Sequence, residues 1–166
     1  MTETKEIKGK EQVVVSDKPK TEATKTNKLA VILVRGMVEV RKPIKDTLAM
    51  LRLSRKNHCV VLENNPVNLG MIRKVKDYVT WGKITEEMFN ELVQKRGEEF
   101  QGRLTDSKGK YSYKFLEING KKYKPYFRLN PPRKGFGRKG IKMPFKVGGG
   151  LGNREDKIND LIKRML

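Results

Sequence analysis

The chain holds one histidine, His58, and one cysteine, Cys59, side by side in the run HCVVL. Adjacent residues of a strand point to opposite faces, so this pair forms neither a catalytic dyad nor a metal site by itself. A zinc site needs three or four suitable ligands. His58 therefore reads as a structural strand residue and Cys59 as a small buried hydrophobe. The carboxylates are scattered over helix starts and a strand end at Glu63, and no pair of them is spaced for acid–base work. Gly148-Gly149-Gly150-Leu151-Gly152-Asn153 stands before a helical pattern, like a phosphate-cradling loop. It lacks the Lys-Ser/Thr pair of a P-loop and the dinucleotide spacing with its ribose-binding acid. It reads either as a flexible turn or as a set of backbone donors for a nucleic-acid phosphate. Gly137-Arg138-Lys139-Gly140 matches GXXG, but that clamp must join two helices, and here Pro and Gly flank it on both sides. The sequence thus predicts no enzyme, no cofactor, no metal and no small-molecule substrate.

What remains is charge. The 166 residues carry 38 Lys+Arg against 19 Asp+Glu, a net +19, with 36% apolar and 34% charged residues. The positive charge lies in two zones. Residues 28–82 carry eleven basic and four acidic groups; residues 110–150 carry twelve basic groups and one acid, Glu117. Most of the second zone is KPYFRLNPPRKGFGRKGIKMPFKVGGG, a self-repelling segment with little to bury. Such a segment is expected to become ordered on a polyanion whose phosphates neutralise it. Tyr126, Phe127 and Phe136 lie among these cations and read either as stacking platforms for unpaired bases or as pins that hold the loop to a domain. No apolar run approaches the ~18 residues of a spanning helix, and a single cysteine fits a reducing compartment, so a cytoplasmic location and no membrane partner are expected.

The elements that must position these cations can be read from periodicity. Leu29 to Val34 is a continuous apolar, β-branched run, which predicts a buried strand. Pro43 suits a helix start, and Ile44, Leu48 and Leu51 form one stripe. His58 to Leu62 predicts a second strand. Asn65-Pro66 predicts a helix start with Asn65 as cap, and Val67, Met71, Ile72 and Val75 as its apolar face. Tyr78 to Trp81 predicts a third strand, ended by Gly82. The result is a β-α-β-α-β core over 28–82, an α+β two-layer unit with helices on one face of a three-stranded sheet. Around it stand a near-neutral leader over 1–27, expected to be solvated, and a helix capped by Thr85 plus a polar linker over 83–109. A basic extension over 110–150 follows, with a hairpin at Asn119-Gly120. The last element is a C-terminal helix over 154–165, capped by Asn153, whose Ile158, Leu161, Ile162 and Met165 should dock on the core.

In combination several motifs are specific: Val34-Arg35-Gly36, Thr47-Leu48 with Leu51, Asn57-His58-Cys59-Val60-Val61, Leu69-Gly70-Met71-Ile72, Tyr78-Val79-Thr80-Trp81-Gly82, Phe127-Arg128-Leu129, Pro131-Pro132-Arg133 and Leu151-Gly152-Asn153-Arg154. Residues 28–166 resemble the archaeal form of the large-subunit ribosomal protein L-thirty family, whose eukaryotic relative is called L-seven; residues 98–124 match it less clearly. The resemblance implies an antiparallel three-stranded sheet, a place in the ribosome on large-subunit rRNA beside other ribosomal proteins, and no catalysis. With the charge pattern it makes Arg35, Arg41, Lys42, Arg52, Arg55, Arg73 and Lys74 the expected rRNA contacts of the core. Arg128, Arg133, Lys134, Arg138, Lys139, Lys142 and Lys146 are those of the extension. The rival reading is a free-standing RNA chaperone or regulator using the same surface.

Overall fold

The sheet grows outward from β1 (Lys28–Leu33), which is buried along all but its first residue. β1 pairs antiparallel with β2 (His58–Glu63) on one side and β3 (Val79–Lys83) on the other, with Val31 opposite both Val60 and Trp81. This computed structural model describes residues 27–112, 114–118 and 120–166; the leader over 1–27, apart from Asn27, and the hairpin's Asn119 lie outside the described residues. The unbroken apolar run of β1 has a simple cause: both faces of the sheet are covered. Leu29, Val31 and Leu33 pack in one cluster with Leu48, Leu51 and Ile72, while Ala30 and Ile32 pack in another with Phe89, Leu92 and Leu161.

Helices α1 (Lys42–Met50) and α2 (Pro66–Lys74) cover the first face, as expected. Each carries Pro in its first turn, where the missing N–H costs nothing. Two details differ. The Asn65 side chain does not cap α2: its Nδ2 donates to Glu63 Oε2 at 3.2 Å, an alternative partner two residues away. Val67, read as core, is 71% exposed on the first turn of α2.

The other face is covered by α3 (Glu86–Arg96) and the C-terminal α4 (Ile158–Met165). Thr85 caps α3, its hydroxyl accepting the Met88 N–H at 3.4 Å. The helix predicted over 154–165 starts later. A 3-10 turn over Glu155–Lys157 leads into α4, and Asn153, whose Oδ1 accepts the Glu155 N–H at 3.0 Å, belongs to a strand. All four expected apolar residues of α4 are buried.

The sheet is wider than the three strands expected. β4 (Leu116–Ile118) and β5 (Lys121–Tyr123) form the expected hairpin apart from it. β6 (Phe127–Arg128) then adds antiparallel to β2, and β7 (Gly152–Asn153) adds parallel to β3, giving the order β6-β2-β1-β3-β7. Gly82 does not end β3; it lies inside the strand. A Cβ there would meet the Glu155 carbonyl oxygen and stand 2.9 Å from Ile158 Cβ, so glycine is what lets the C-terminal segment cross the strand closely.

Candidate nucleic-acid interface

The fourteen cations singled out from the sequence all reach the surface. Twelve are exposed; Arg35 and Arg52 are half-buried. Among the described residues there are three ion pairs, Lys95–Glu91, Lys124–Glu98 and Arg128–Glu98. Arg128, 3.3 Å from Glu98, is thus the one candidate with a carboxylate partner. Arg35 and Arg52 donate to the Asp77 and Lys114 carbonyls, and the remaining exposed cations form a surface that holds counterions an incoming phosphate chain can displace.

The fold brings some of these cations together. A groove of about 700 Å³ is lined by Arg35 and Arg41 from the β1–α1 loop, Lys76 beyond α2 and Lys142 from the extension. Here the two basic zones, far apart in sequence, meet. A second groove of about 500 Å³, between α1 and α2, is lined by Lys42 and Lys74 together with Asp46, Met50 and Met71. A third, of about 400 Å³, holds Arg52 beside Lys114 and Lys124, with Arg52 Nη1 donating to the Lys114 carbonyl at 3.2 Å. Arg55, Arg73, Arg128, Arg133, Lys134, Arg138, Lys139 and Lys146 line none of the three.

The extension is tied into the fold, which corrects the expectation of a segment with little to bury. Phe127 and Leu129 are buried, and the Leu129 and Asn130 N–H groups donate to the carbonyls of Asn57 and Met165. Further on, Arg164 Nη1 donates to the carbonyls of Arg133 at 3.1 Å and Gly135 at 3.2 Å. The decisive residue is Arg154, only 4% exposed. Its Nε donates to Thr80 Oγ1 at 2.9 Å; its Nη2 donates to the carbonyls of Phe136 at 2.6 Å and Gly150 at 3.2 Å. Its guanidinium carbon stands 4.4 Å from the Phe145 ring centroid. One guanidinium therefore joins β3 to three points of the basic loop. Burial, and secondarily the nearby Arg164, pull its pKa down to about 10, so it stays charged at neutral pH. In the sequence Arg154 stands out only as part of a motif and as the first residue of the expected C-terminal helix. Its position between a glycine run and an apolar helix was the one signal that it turns inward. Lys76, just beyond α2, is the other residue missed among the expected contacts.

Several alternatives are now settled by geometry. The glycine run is no phosphate cradle: it precedes β7 rather than a helix, and its N–H groups are used internally. Gly148 donates to Phe145, Gly149 to Pro144 and Gly150 to Met143. A Cβ on Gly149 would collide with the Met143 carbonyl, so the backbone packs against itself there. Gly137 to Gly140 closes a turn, with the Gly140 N–H donating to the Gly137 carbonyl, and no helix flanks it. The aromatics act as pins: Phe127 is fully buried, Phe136 packs on the α3/α4 cluster, and the Tyr126 ring stacks on His58 at 5.1 Å. His58 also bonds the Ser54 hydroxyl through Nδ1 at 3.3 Å, and burial raises the Cys59 thiol to about 12. Neither is available for chemistry.

Comparison with known proteins identifies the lineage. A family model described as ribosomal protein L30p/L7e matches residues 29–79. The large ribosomal subunit protein uL30 of Methanopyrus kandleri is 42% identical over 149 residues, covering 80% of this chain and all of the relative. Those of Methanococcus maripaludis and Nanoarchaeum equitans are each 46% identical over 151 residues, covering 82% of this chain and 98% and 97% of theirs. The chain belongs to the uL30 family. This is a structural, non-enzymatic family of the cytoplasmic ribosome, and the archaeal relatives are similar over most of the present chain. The uL30 match of the family model ends at Val79, so it covers α1, α2 and the Arg35–Arg41 side of the large groove but not Lys142. Among the described residues no cluster of His, Cys, Asp or Glu could hold a metal, and no helix is long and apolar enough to cross a membrane.

Proposed function

We propose that this protein is a structural constituent of the large ribosomal subunit that binds rRNA and holds neighbouring rRNA segments together. The observation that carries this is the convergence of the two basic zones on one groove, where Arg35, Arg41 and Lys76 of the core face Lys142 of the extension. Phosphates from two rRNA strands repel each other; cations presented from two directions on a rigid frame offset that repulsion and release counterions. The frame is the sheet, and Arg154 bonds the loop to it, a link within the protein that lowers the ordering entropy opposing binding. Other ribosomal proteins are expected as neighbours. Chemical footprinting of large-subunit rRNA with and without the protein tests this reading. Discrete protections that persist at high salt are expected. Diffuse protections that vanish with salt, together with loss of the protein from subunits in a high-salt wash, would instead indicate a free-standing RNA chaperone.

A further inference from the structure

The groove shared by the two basic zones carries more than cations. Tyr78 and Trp81, both half-buried, line it together with the carboxylates of Glu39 and Asp77. The Arg35 guanidinium lies 5.1 Å from the Tyr78 ring centroid, and its Nη1 donates to the Asp77 carbonyl at 3.3 Å. A cationic group is thus held against an aromatic ring at the edge of the groove. A track for the phosphate backbone alone has no use for aromatic walls, and carboxylates would repel it. A whole nucleotide uses all three kinds of group: cations for its phosphate, a flat surface for the base face, and acceptors for the N–H groups of the base edge. The volume of about 700 Å³ lies within the range of pockets that enclose small ligands.

We propose that this groove receives one unpaired rRNA nucleotide, its base stacked against Trp81 and the Arg35–Tyr78 pair and its phosphate held by Arg41 and Lys142. The proposal rests on the rRNA-binding reading and makes it specific: the site takes an unstacked base, not only a backbone. Trp81 is the one tryptophan of the chain, so its emission reports this groove alone. The full-length protein is titrated at low salt with single-stranded oligoadenylate and with an RNA duplex of equal phosphate number. Labelled RNA gives total binding by anisotropy, and Trp81 emission reports the groove. Both RNAs are expected to bind and only the single strand to quench Trp81. Trp81→Leu should weaken the single strand roughly tenfold, as loss of one base–aromatic stack does, and weaken the duplex by clearly less. Should that variant unfold, the wild-type quenching still decides. Binding of both RNAs with no quenching, or with equal quenching, overturns the proposal and leaves the rRNA-binding reading standing; binding of neither overturns both.

Discussion

The β1–α2 core and the loop from Arg133 to Gly150 both hold cations out to solvent, but different forces order them. In the core, apolar side chains do the work: Leu29, Val31, Leu33, Leu48 and Ile72 are buried together, and Lys42, Arg55 and Lys74 ride outside. In the loop no side chain from Arg133 to Val147 is buried, and Phe136 and Phe145 are only half-covered. Backbone bonds such as Lys139 N–H to the Gly148 carbonyl, close glycine packing and the buried Arg154 hold it instead. A segment too charged to build a core can still be ordered, provided its backbone groups bond each other and guanidinium groups from outside it, Arg154 just past β7 and Arg164 on α4, bond further carbonyls. The consequence is uneven risk: core stability is spread over many residues, and loop order rests on a few polar anchors, with Arg154 the most buried of them.

The largest expected effect exposes that dependence. Arg154→Met leaves Thr80 Oγ1 and the Phe136 and Gly150 carbonyls without their donor, a loss of about 3 kcal/mol in urea unfolding. Arg154→Lys should recover part of it. Hydrogen exchange sharpens the contrast: the amides of Lys139 and Gly149 should exchange faster in Arg154→Met, while β1 amides keep their relative protection. Equal acceleration in loop and core would erase the distinction between them.

A pair of glycines gives the next test, with opposite signs. Gly82→Ala drives a Cβ into the Glu155 carbonyl and Ile158, and should destabilise by about 2 kcal/mol. Gly70→Ala, on α2 with nothing within 4 Å of the new Cβ, should stabilise by roughly 0.5–1 kcal/mol. Thermal unfolding of both variants reads the signs directly.

The smallest effect is on pH. Burial, and then the Arg128 and Arg55 cations, hold His58 below its ordinary pKa of 6.5, with Glu98 opposing weakly. The folded state therefore resists protonation more than the unfolded chain. His58 contributes stability above the unfolded pKa, and that contribution fades as pH falls through the lowered folded value. Between pH 7.5 and 5.5 the Tm should fall by less than about 4 °C, the shift that ~1 kcal/mol makes in a domain of this size. As His58 is the only histidine, His58→Asn should flatten the profile.

What the sequence made legible follows the same division. Apolar periodicity located β1 to β3 with α1 and α2, and the Thr85 cap located α3, because local spacing encodes these elements. Charge density marked the extension as basic. Its course was not legible, since β6 and β7 are two-residue strands set by long-range pairing to β2 and β3, and no local pattern announces such partners. The same holds for Gly82 and Arg154. Each is explained only by contact with a segment distant in sequence, so one read as a strand end and the other as the first residue of a helix. Nor could spacing reveal that Lys142 faces Arg35 and Arg41.

The most direct test of the central claim, that both zones bind rRNA, is the salt dependence of affinity for large-subunit rRNA. Three variants are compared with wild type: Arg35→Gln with Arg41→Gln, then Arg133, Lys134, Arg138 and Lys139 all changed to Gln, then both sets combined. A shallower log–log slope is expected for each set, by about 0.7–0.9 for every phosphate contact removed, with the losses adding in the combined variant. A slope that stays at the wild-type value in either set would contradict it, and would make that zone a solvated surface rather than a binding one.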